Sequence, residues 1–307
     1  GAAAQTGDAP PAPCCRICLE EGGESSGDGG PLSGLLSPCV CRGSAKYVHF
    51  ECMQAAFVAK GDWLALRCPT CGHDYEGCAA IGLGELALEK LQSRASKPPD
   101  RFLALALHNL GIACGKAGDA RRERQLLEEA LRLQEEDLGP EHEDVAATLV
   151  NLGNAHSRLG DVHRQRELLE RALVIGERCH GPDHHAVATT LVNLGSVYGV
   201  LGQPSRQRAL LERALAILER RLGPTHRAIA PTLVNLGIAY GALGGVEAQR
   251  DLLERALRIN EREFGPDHRS VATTLVNLGS SYGRLGDPAR QRCVLERALA
   301  IKEREYG

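Results

Sequence analysis

The chain has 307 residues, enough for two domains or for one domain followed by an array of repeats. Hydrophobic residues make up 43% and aromatic residues only 4%, so the cores must be built mainly from Leu, Ala, Val and Ile, which suits close-packed helices. A net charge of −3, without any long apolar run, gives no reason to expect nucleic acid or a membrane as a partner.

The first 13 residues are rich in Ala, Pro and Gly and predict a disordered lead over 1–13. They lack the basic and then apolar layout of a signal peptide. The only Met is Met53, so the sequence is expected to be a fragment or a processed product.

Residues 14–77 are rich in Cys and Gly and contain four closely spaced pairs of metal-ligating residues. The pairs are Cys15 and Cys18, Cys39 and Cys41, His49 and Cys52, and Cys68 and Cys71. Such tight spacing suits metal chelation better than disulfide cross-linking. Eight ligands serve two tetrahedral zinc ions with no open position, so both ions are predicted to be structural. Cys14 adjoins Cys15 and is the alternative ligand there, although the Cys-x-x-Cys spacing favours Cys15.

Two segments resemble the RING-CH (RING-variant) family, which is best known from membrane-associated ubiquitin ligases. They are Cys15-Arg-Ile-Cys-Leu-Glu-Glu and Ser37-Pro-Cys-Val-Cys-Arg-Gly-Ser-Ala-Lys-Tyr-Val-His-Phe-Glu-Cys52. The resemblance implies a small cross-brace domain in which the first and third ligand pairs hold one zinc ion, and the second and fourth hold the other. Site one is then Cys15, Cys18, His49 and Cys52, and site two is Cys39, Cys41, Cys68 and Cys71.

By the same resemblance the domain docks a ubiquitin-conjugating enzyme and promotes transfer by positioning, with no catalytic residue of its own. The implied docking residues are Ile17 and Pro69, with Trp63 as a candidate for the groove between them. The alternative for Ile17 and Trp63 is packing inside the small domain. Many RING domains have a basic residue directly after the eighth ligand. This chain has Gly72 and then His73, which puts the strength of ligase activity in question.

The plant homeodomain finger, a reader of histone tails with the same ligand order, is the alternative family. Seven residues separate Cys41 from His49, where that finger usually has fewer. It also expects a Trp two residues before the seventh ligand, whereas Trp63 lies five before Cys68. Both departures disfavour a chromatin reader.

Beyond the zinc region the sequence predicts a helical linker over 78–98 and five helix pairs over 99–307. The motif Asn-Leu-Gly recurs every 42 residues, beginning at Asn109, Asn151, Asn193, Asn235 and Asn277. Each copy predicts two helices, for example over 144–158 and 162–179, with Gly160 in the turn between them. Because one pair cannot bury its apolar stripe, the pairs are predicted to stack into a right-handed, all-α solenoid.

These copies resemble the tetratricopeptide repeat in the 42-residue form found in kinesin light chains. The resemblance rests on the Leu-Gly pair, on the Ala of Leu-Glu-Arg-Ala-Leu, and on an aromatic residue three after Gly, at Tyr198, Tyr240 and Tyr282. One departure is Gln where the family usually has a small Ala, at Gln165, Gln207, Gln249 and Gln291. This change is expected to alter helix spacing but not the fold.

The resemblance implies that the first helix of each pair lines a concave face. The repeated Asn is polar and is turned by about 100° from the apolar Leu beside it. We therefore expect Asn109, Asn151, Asn193, Asn235 and Asn277 to form a ladder that binds a peptide backbone. The alternative is capping of the backbone of neighbouring repeats. Arg158 and Arg284 are the exceptions in a mostly uncharged groove, so a generic protein or peptide is favoured over a carboxylate-terminated tail.

Two further sets of residues are given structural roles. His142, His184, His226 and His268 recur after Gly-Pro and are predicted to be turn residues that lie too far apart to share a metal ion. Cys78, Cys114, Cys179 and Cys293 are scattered, and are expected to be reduced. The absence of a disulfide pattern favours a reducing compartment.

The leading hypothesis is a soluble, cytoplasmic or nuclear RING-type ubiquitin ligase with two structural Zn²⁺ ions. Its expected partners are a ubiquitin-conjugating enzyme and a protein or peptide substrate in the repeat groove, with no nucleic acid and no membrane segment within this chain. The alternative is a non-catalytic, zinc-containing scaffold for protein–protein interaction.

Overall fold

The structure, a computed structural model, describes residues 14–19, 35–42, 45–61, 64–93 and 100–306. The chain divides into two compact units, residues 1–140 and residues 141–307. The predicted lead over 1–13 and the candidate docking residue Trp63 lie outside the described residues.

The described residues of the zinc region form two short strands and one helix. Strand β1 (Leu35–Leu36) pairs antiparallel with β2 (Val48–His49), and helix α1 (Phe50–Lys60) follows directly. Its core is small, since Val48, Phe50, Met53 and Phe57 are the large buried side chains that β2 and α1 supply. A core of this size is consistent with a fold that needs metal ions to hold its loops together.

Helix α2 (Gly77–Gln92) packs against both the zinc region and the next helix pair, α3 (Asp100–Lys116) and α4 (Ala120–Leu138). Gly82 lies against the ring of Phe50, where a side chain would collide with the aromatic carbons. Leu83 is fully buried in the same core as the zinc-region residues. On the other side, a Cβ at Gly84 would lie 2.9 Å from Leu110 Cδ1 of α3. Helix α2 therefore packs against the zinc region on one side and against α3 on the other.

The second unit consists of four further helix pairs and confirms the predicted tetratricopeptide-type, all-α fold. Its helices are α5 (Glu143–Arg158), α6 (Val162–His180), α7 (His185–Val200), α8 (Pro204–Leu222), α9 (Ala230–Ala242), α10 (Val246–Phe264), α11 (Arg269–Arg284) and α12 (Pro288–Tyr306). A 3-10 turn at Arg227–Ile229 precedes α9. Since Pro231 lacks an N–H group, the α-helix in this repeat begins only at Ala230.

The repeated apolar residues occupy equivalent buried positions in this unit. On the first helices these are Leu149, Leu191, Leu233 and Leu275, and on the second helices Leu169, Leu211 and Leu253. Helix α6 packs on α7, α8 on α9, and α10 on α11, so each stripe is buried within its pair and against the next. Among the described residues, none of the helices has both the length and the apolar character needed to cross a bilayer.

Three of the four Gln residues that depart from the family pattern pack against Gly on the facing helix. Gln207 reaches across to Gly199, where a Cβ would lie 2.7 Å from Gln207 Nε2, and Gln249 and Gln291 face Gly241 and Gly283 in the same way. The larger residue on the second helix is therefore matched by the smallest residue on the first. The loss of volume on the first helix compensates for the larger Gln on the second, which explains how the fold tolerates Gln in place of Ala.

Candidate zinc centres and docking groove

Cys15, Cys18, His49 and Cys52 meet in one cluster, with their ligand atoms all within 4.8 Å of one another. Cys18 Sγ lies 3.3 Å and Cys52 Sγ 4.0 Å from His49 Nδ1. His49 closes β2 and takes the N-cap position of α1, so Cys52 falls in the first turn of that helix. The helix start thus brings the third ligand pair together.

Cys39, Cys41, Cys68 and Cys71 form a second cluster within the same limit. Cys41 Sγ and Cys68 Sγ are 3.7 Å apart, and both side chains are buried. The fourth ligand pair lies on a tight turn in which Gly72 N donates to Cys68 O at 2.9 Å. Gly72 has φ +69°, a conformation that residues with a Cβ adopt only at a cost.

The spacing of these atoms fits tetrahedral zinc. With Zn–S near 2.3 Å, two sulfur ligands of one ion lie about 3.8 Å apart, and a sulfur and a nitrogen slightly closer. The separations of 3.3, 3.7 and 4.0 Å agree with such a tetrahedron. Both Cys/His clusters can therefore hold zinc. The neighbouring Cys14 belongs to neither cluster.

Charge in the clusters favours a bound cation. Burial alone would raise the pKa of Cys15, but N–H groups, including those of Ile17 and His49 at 3.4 Å, outweigh it and lower that pKa to about 6. Burial and neighbouring thiols raise the pKa of Cys41 and of Cys52 to about 12. The three or four crowded sulfurs of a cluster cannot all ionise alone, whereas a divalent ion stabilises every thiolate and displaces the remaining protons.

A groove of about 320 Å³ opens beside the first cluster, between the predicted docking residues Ile17 and Pro69. Ile17 is 48% exposed, and Pro69 is also exposed. One face of α1 lines the groove with Met53, Ala56, Phe57 and Lys60, and Tyr75, Arg16 and Arg67 contribute to its wall. The contribution of α1 was not predicted from the sequence, although the spacing of residues 53, 56, 57 and 60 is that of one helix face.

His73 lies directly beyond the last ligand turn and is exposed. Its Nδ1 is 3.0 Å from Cys71 O, and this hydrogen bond raises the pKa of His73 above its ordinary value. The ring is therefore cationic over a wider pH range than a free histidine.

The repeated Asn residues are half-buried and do not all behave alike. In the first unit, Asn109 Nδ2 donates to Leu64 O of the zinc region at 3.3 Å. In the second unit, Asn235 Nδ2 donates to Ser196 Oγ of the preceding repeat at 3.1 Å. Asn277 donates to Thr273 O of its own helix at 3.2 Å. The side chain of Asn193 is half-buried in α7 and, among the described residues, takes no part in a comparable side-chain hydrogen bond. Local hydrogen bonds thus occupy the amides of Asn109, Asn235 and Asn277.

A second cavity of about 430 Å³ lies within the first unit, between the last loops of the zinc region and α3. Leu64, Leu66 and Tyr75 line one side, and Leu105 and Ile112 the other. The bond from Asn109 to Leu64 O crosses beside it. In the first repeat the Asn109 amide therefore donates to a backbone carbonyl of the same chain, the kind of contact that the sequence predicts with a bound peptide.

Comparison with known proteins agrees with these features. A RING-variant domain model matches residues 15–71, and tetratricopeptide repeat models match 102–164, 144–206, 250–304 and 187–228. The crystal structure of BtubC (BKLC) from P. vanneervenii is 25% identical with a TM-score of 0.63, over 74% of this chain and 91% of that chain. A putative kinesin light chain of Podosopora anserina, with nearly identical TPR-like repeats, is 25% identical with a TM-score of 0.57, over 68% and 99% of the respective chains.

No curated protein sequence is significantly similar to the chain. The family matches confirm both predicted resemblances, and they identify a domain of the ubiquitin-ligase type beside an array of the kind that binds proteins or peptides. The chain belongs to the tetratricopeptide repeat family and carries a RING-variant domain at residues 15–71.

Proposed function

We propose that the chain is a RING-type ubiquitin-protein ligase. Its zinc domain docks a ubiquitin-conjugating enzyme charged with ubiquitin, and its repeats bind the protein to be modified. The observation that carries this proposal is the groove between Ile17 and Pro69, next to the first ligand cluster. It presents an apolar surface of the size that one or two side chains of a partner loop would fill.

The exposure of Ile17 favours docking over packing. A residue that served only to hold the domain together would be buried with Met53 and Phe57, whereas Ile17 keeps 48% of its surface exposed at the rim of the groove. The cationic groups Lys60 and Arg67 flank the same opening. The partner surface is therefore expected to be apolar at its centre and neutral or acidic at its edge.

The two clusters would each hold one zinc ion, which supplies structural cross-linking and no reactive group. Residues of this chain then act by position. Ile17 of the first zinc loop, Pro69 of the last zinc loop and one face of α1 line the same groove. Restraining the thioester of the bound enzyme lowers the entropic part of the transfer barrier without a covalent intermediate.

The groove of the second unit is proposed to hold a segment of substrate without strong charge. The first helices present Thr189, Ser196, Thr273 and Ser280 together with Ile238 and Val276, which are all exposed or half-buried. Asn193 has an amide that can donate to and accept from an extended backbone. A neutral, mixed apolar and hydroxyl-bearing surface favours a partner of similar character over an acidic tail.

Self-ubiquitination with ubiquitin, activating enzyme, ATP and a panel of conjugating enzymes tests the ligase proposal. Ile17→Ala should reduce conjugation at least tenfold, equivalent to about 1.4 kcal/mol of lost docking energy, with zinc content unchanged. Val58→Ala is the matched control, because Val58 is 44% exposed on α1 and does not line the groove.

Conjugation that is equal in both variants would place docking elsewhere. No conjugation by the zinc-loaded parent chain across a broad panel would favour the non-catalytic scaffold instead. Loss of zinc from Ile17→Ala would make Ile17 a structural residue.

A further inference from the structure

Arg16 belongs to the first zinc loop by sequence but reaches the second cluster with its side chain. It lies between the ligands Cys15 and Cys18 of cluster one. Its Nη1 is 3.5 Å from Cys41 Sγ and 4.0 Å from Cys39 Sγ, both of cluster two. The distance to Cys41 is that of an N–H donor from a sulfur acceptor, and the distance to Cys39 is at the outer limit of such a contact.

Both the guanidinium and the backbone of Arg16 bond to the segment between the second and third ligand pairs. Nη1 donates to Ala45 O at 2.8 Å, and the backbone N of Arg16 donates to Tyr47 O at 3.0 Å. Tyr47 precedes β2, which ends at the ligand His49. Arg16 therefore belongs to a ligand loop of cluster one. It also contacts two sulfurs of cluster two and the segment that leads to the third ligand pair.

Charge explains why an arginine is found at cluster two. A zinc ion with four thiolates has two net negative charges, whereas one with three thiolates and a neutral histidine has one. A cation within 4.0 Å of two sulfurs offsets charge at the more negative centre. Groups that bond to ligand sulfurs in this way fix ligand orientation and raise metal affinity.

We propose that Arg16 is a positioning residue that couples the two zinc centres. It stabilises the thiolates of Cys39 and Cys41 while holding the Cys15–Cys18 loop against the Ala45–Tyr47 segment. Arg16 also lines the docking groove, so this coupling joins the second centre to the surface on which the partner enzyme is proposed to bind. The inference rests on the assignment of both clusters as zinc centres.

Cobalt titration of the full chain tests this coupling. Co²⁺ bound by four thiolates and Co²⁺ bound by three thiolates and one histidine have different visible and charge-transfer absorption, so filling of the two centres is followed separately. Arg16→Gln should weaken binding at cluster two about 10- to 100-fold and leave cluster one within about twofold. Arg16→Lys, which keeps the charge, should recover part of the loss. Arg42→Gln is the matched control, because Arg42 adjoins the ligand Cys41 but is exposed and belongs to neither cluster.

Equal weakening of both centres in Arg16→Gln would assign the residue a general role in folding and overturn the coupling. Unchanged affinity at cluster two would overturn it as well. If the parent chain takes up no cobalt at either cluster, the assignment of the clusters as zinc centres is wrong. This outcome is distinguishable from the first two, because in those the parent chain binds cobalt.

Discussion

At the scale of single residues, the histidines after Gly-Pro are helix caps. Nδ1 accepts a hydrogen bond from the backbone N–H two residues on, at 3.2 Å for His142, 3.3 Å for His184, 3.2 Å for His226 and 3.1 Å for His268. The sequence predicted turn residues without this role, because Ser, Thr, Asp and Asn are the usual N-caps. An Nδ1 that accepts is unprotonated, so each cap exists only while that nitrogen carries no proton.

His184 differs from the other caps in its surroundings. Its ring stacks on His180 with centroids 4.4 Å apart and lies 4.3 Å from the ring of His185. Partial burial, His185, His180 and Arg221 all lower the pKa of His184, and Glu143 opposes them weakly. The junction between α6 and α7 therefore favours the neutral, capping form of this ring.

We expect acid to weaken the second unit through His184. Because its folded pKa lies below the unfolded value of about 6.5, the stabilisation is complete above that pH and is lost as the pH falls through the folded pKa. His184→Asn retains a cap without the titration, so the fall in stability between pH 7.5 and pH 5.5 should be smaller than in the parent chain. Urea unfolding at both pH values measures this fall in stability. The control is His163→Asn, because His163 is an exposed histidine outside the cluster. An equal fall in the parent chain and in His184→Asn would contradict the assignment.

At the scale of elements, the 42-residue period predicted the helix pairs closely. The structure begins α5 one residue before the predicted start and extends α6 one residue past the predicted end. Periodicity could not show how Gln residues fit between the helices, since the partner Gly is supplied by a different helix. In the zinc region, ligand spacing predicted the eight residues that the structure gathers, but not the lining that α1 gives the groove, which depends on how α1 packs.

Two glycines of α7 should respond differently to alanine. A Cβ at Gly195 would lie 2.8 Å from Leu211 Cγ, the branch point of a fully buried side chain, so Gly195→Ala should cost about 1–3 kcal/mol of overpacking. At Gly199 the close atoms are the amide end of Gln207, which can rotate away. Alanine gains about 1 kcal/mol of helix propensity at both sites. Gly199→Ala should therefore be near neutral and Gly195→Ala destabilising in urea unfolding. The reverse order would contradict this account of the packing.

At the scale of the whole molecule, the zinc region and the first helix pair belong to one compact unit. The sequence predicted a helical linker over 78–98, whereas α2 contributes Ala79, Ala80, Leu83 and Ala87 to the core of the zinc region. On its other side Leu88 packs against the cluster that contains Ala104 and Leu107 of α3. Period and composition alone could not reveal that a short apolar helix serves two cores at once.

Removal of metal should therefore destabilise more than the ligand loops. After treatment with a chelator, hydrogen exchange should rise in α2 and in the face of α3 that packs on it, because both lose the support of the zinc-region core. Helices α10 and α11 serve as the internal reference, and exchange is followed by mass spectrometry of the full chain with and without zinc. Unchanged protection of α2 after complete metal loss would show that the helix is held by α3 alone.

The most direct measurement of the central claim is the metal content of the purified full chain, by native mass spectrometry together with elemental analysis. We expect two zinc ions per chain, with one lost in Cys15→Ser through cluster one and one lost in Cys68→Ser through cluster two. A parent chain that binds no zinc, or a Cys68→Ser variant that retains both ions, would contradict the two-centre arrangement and the docking surface built on it.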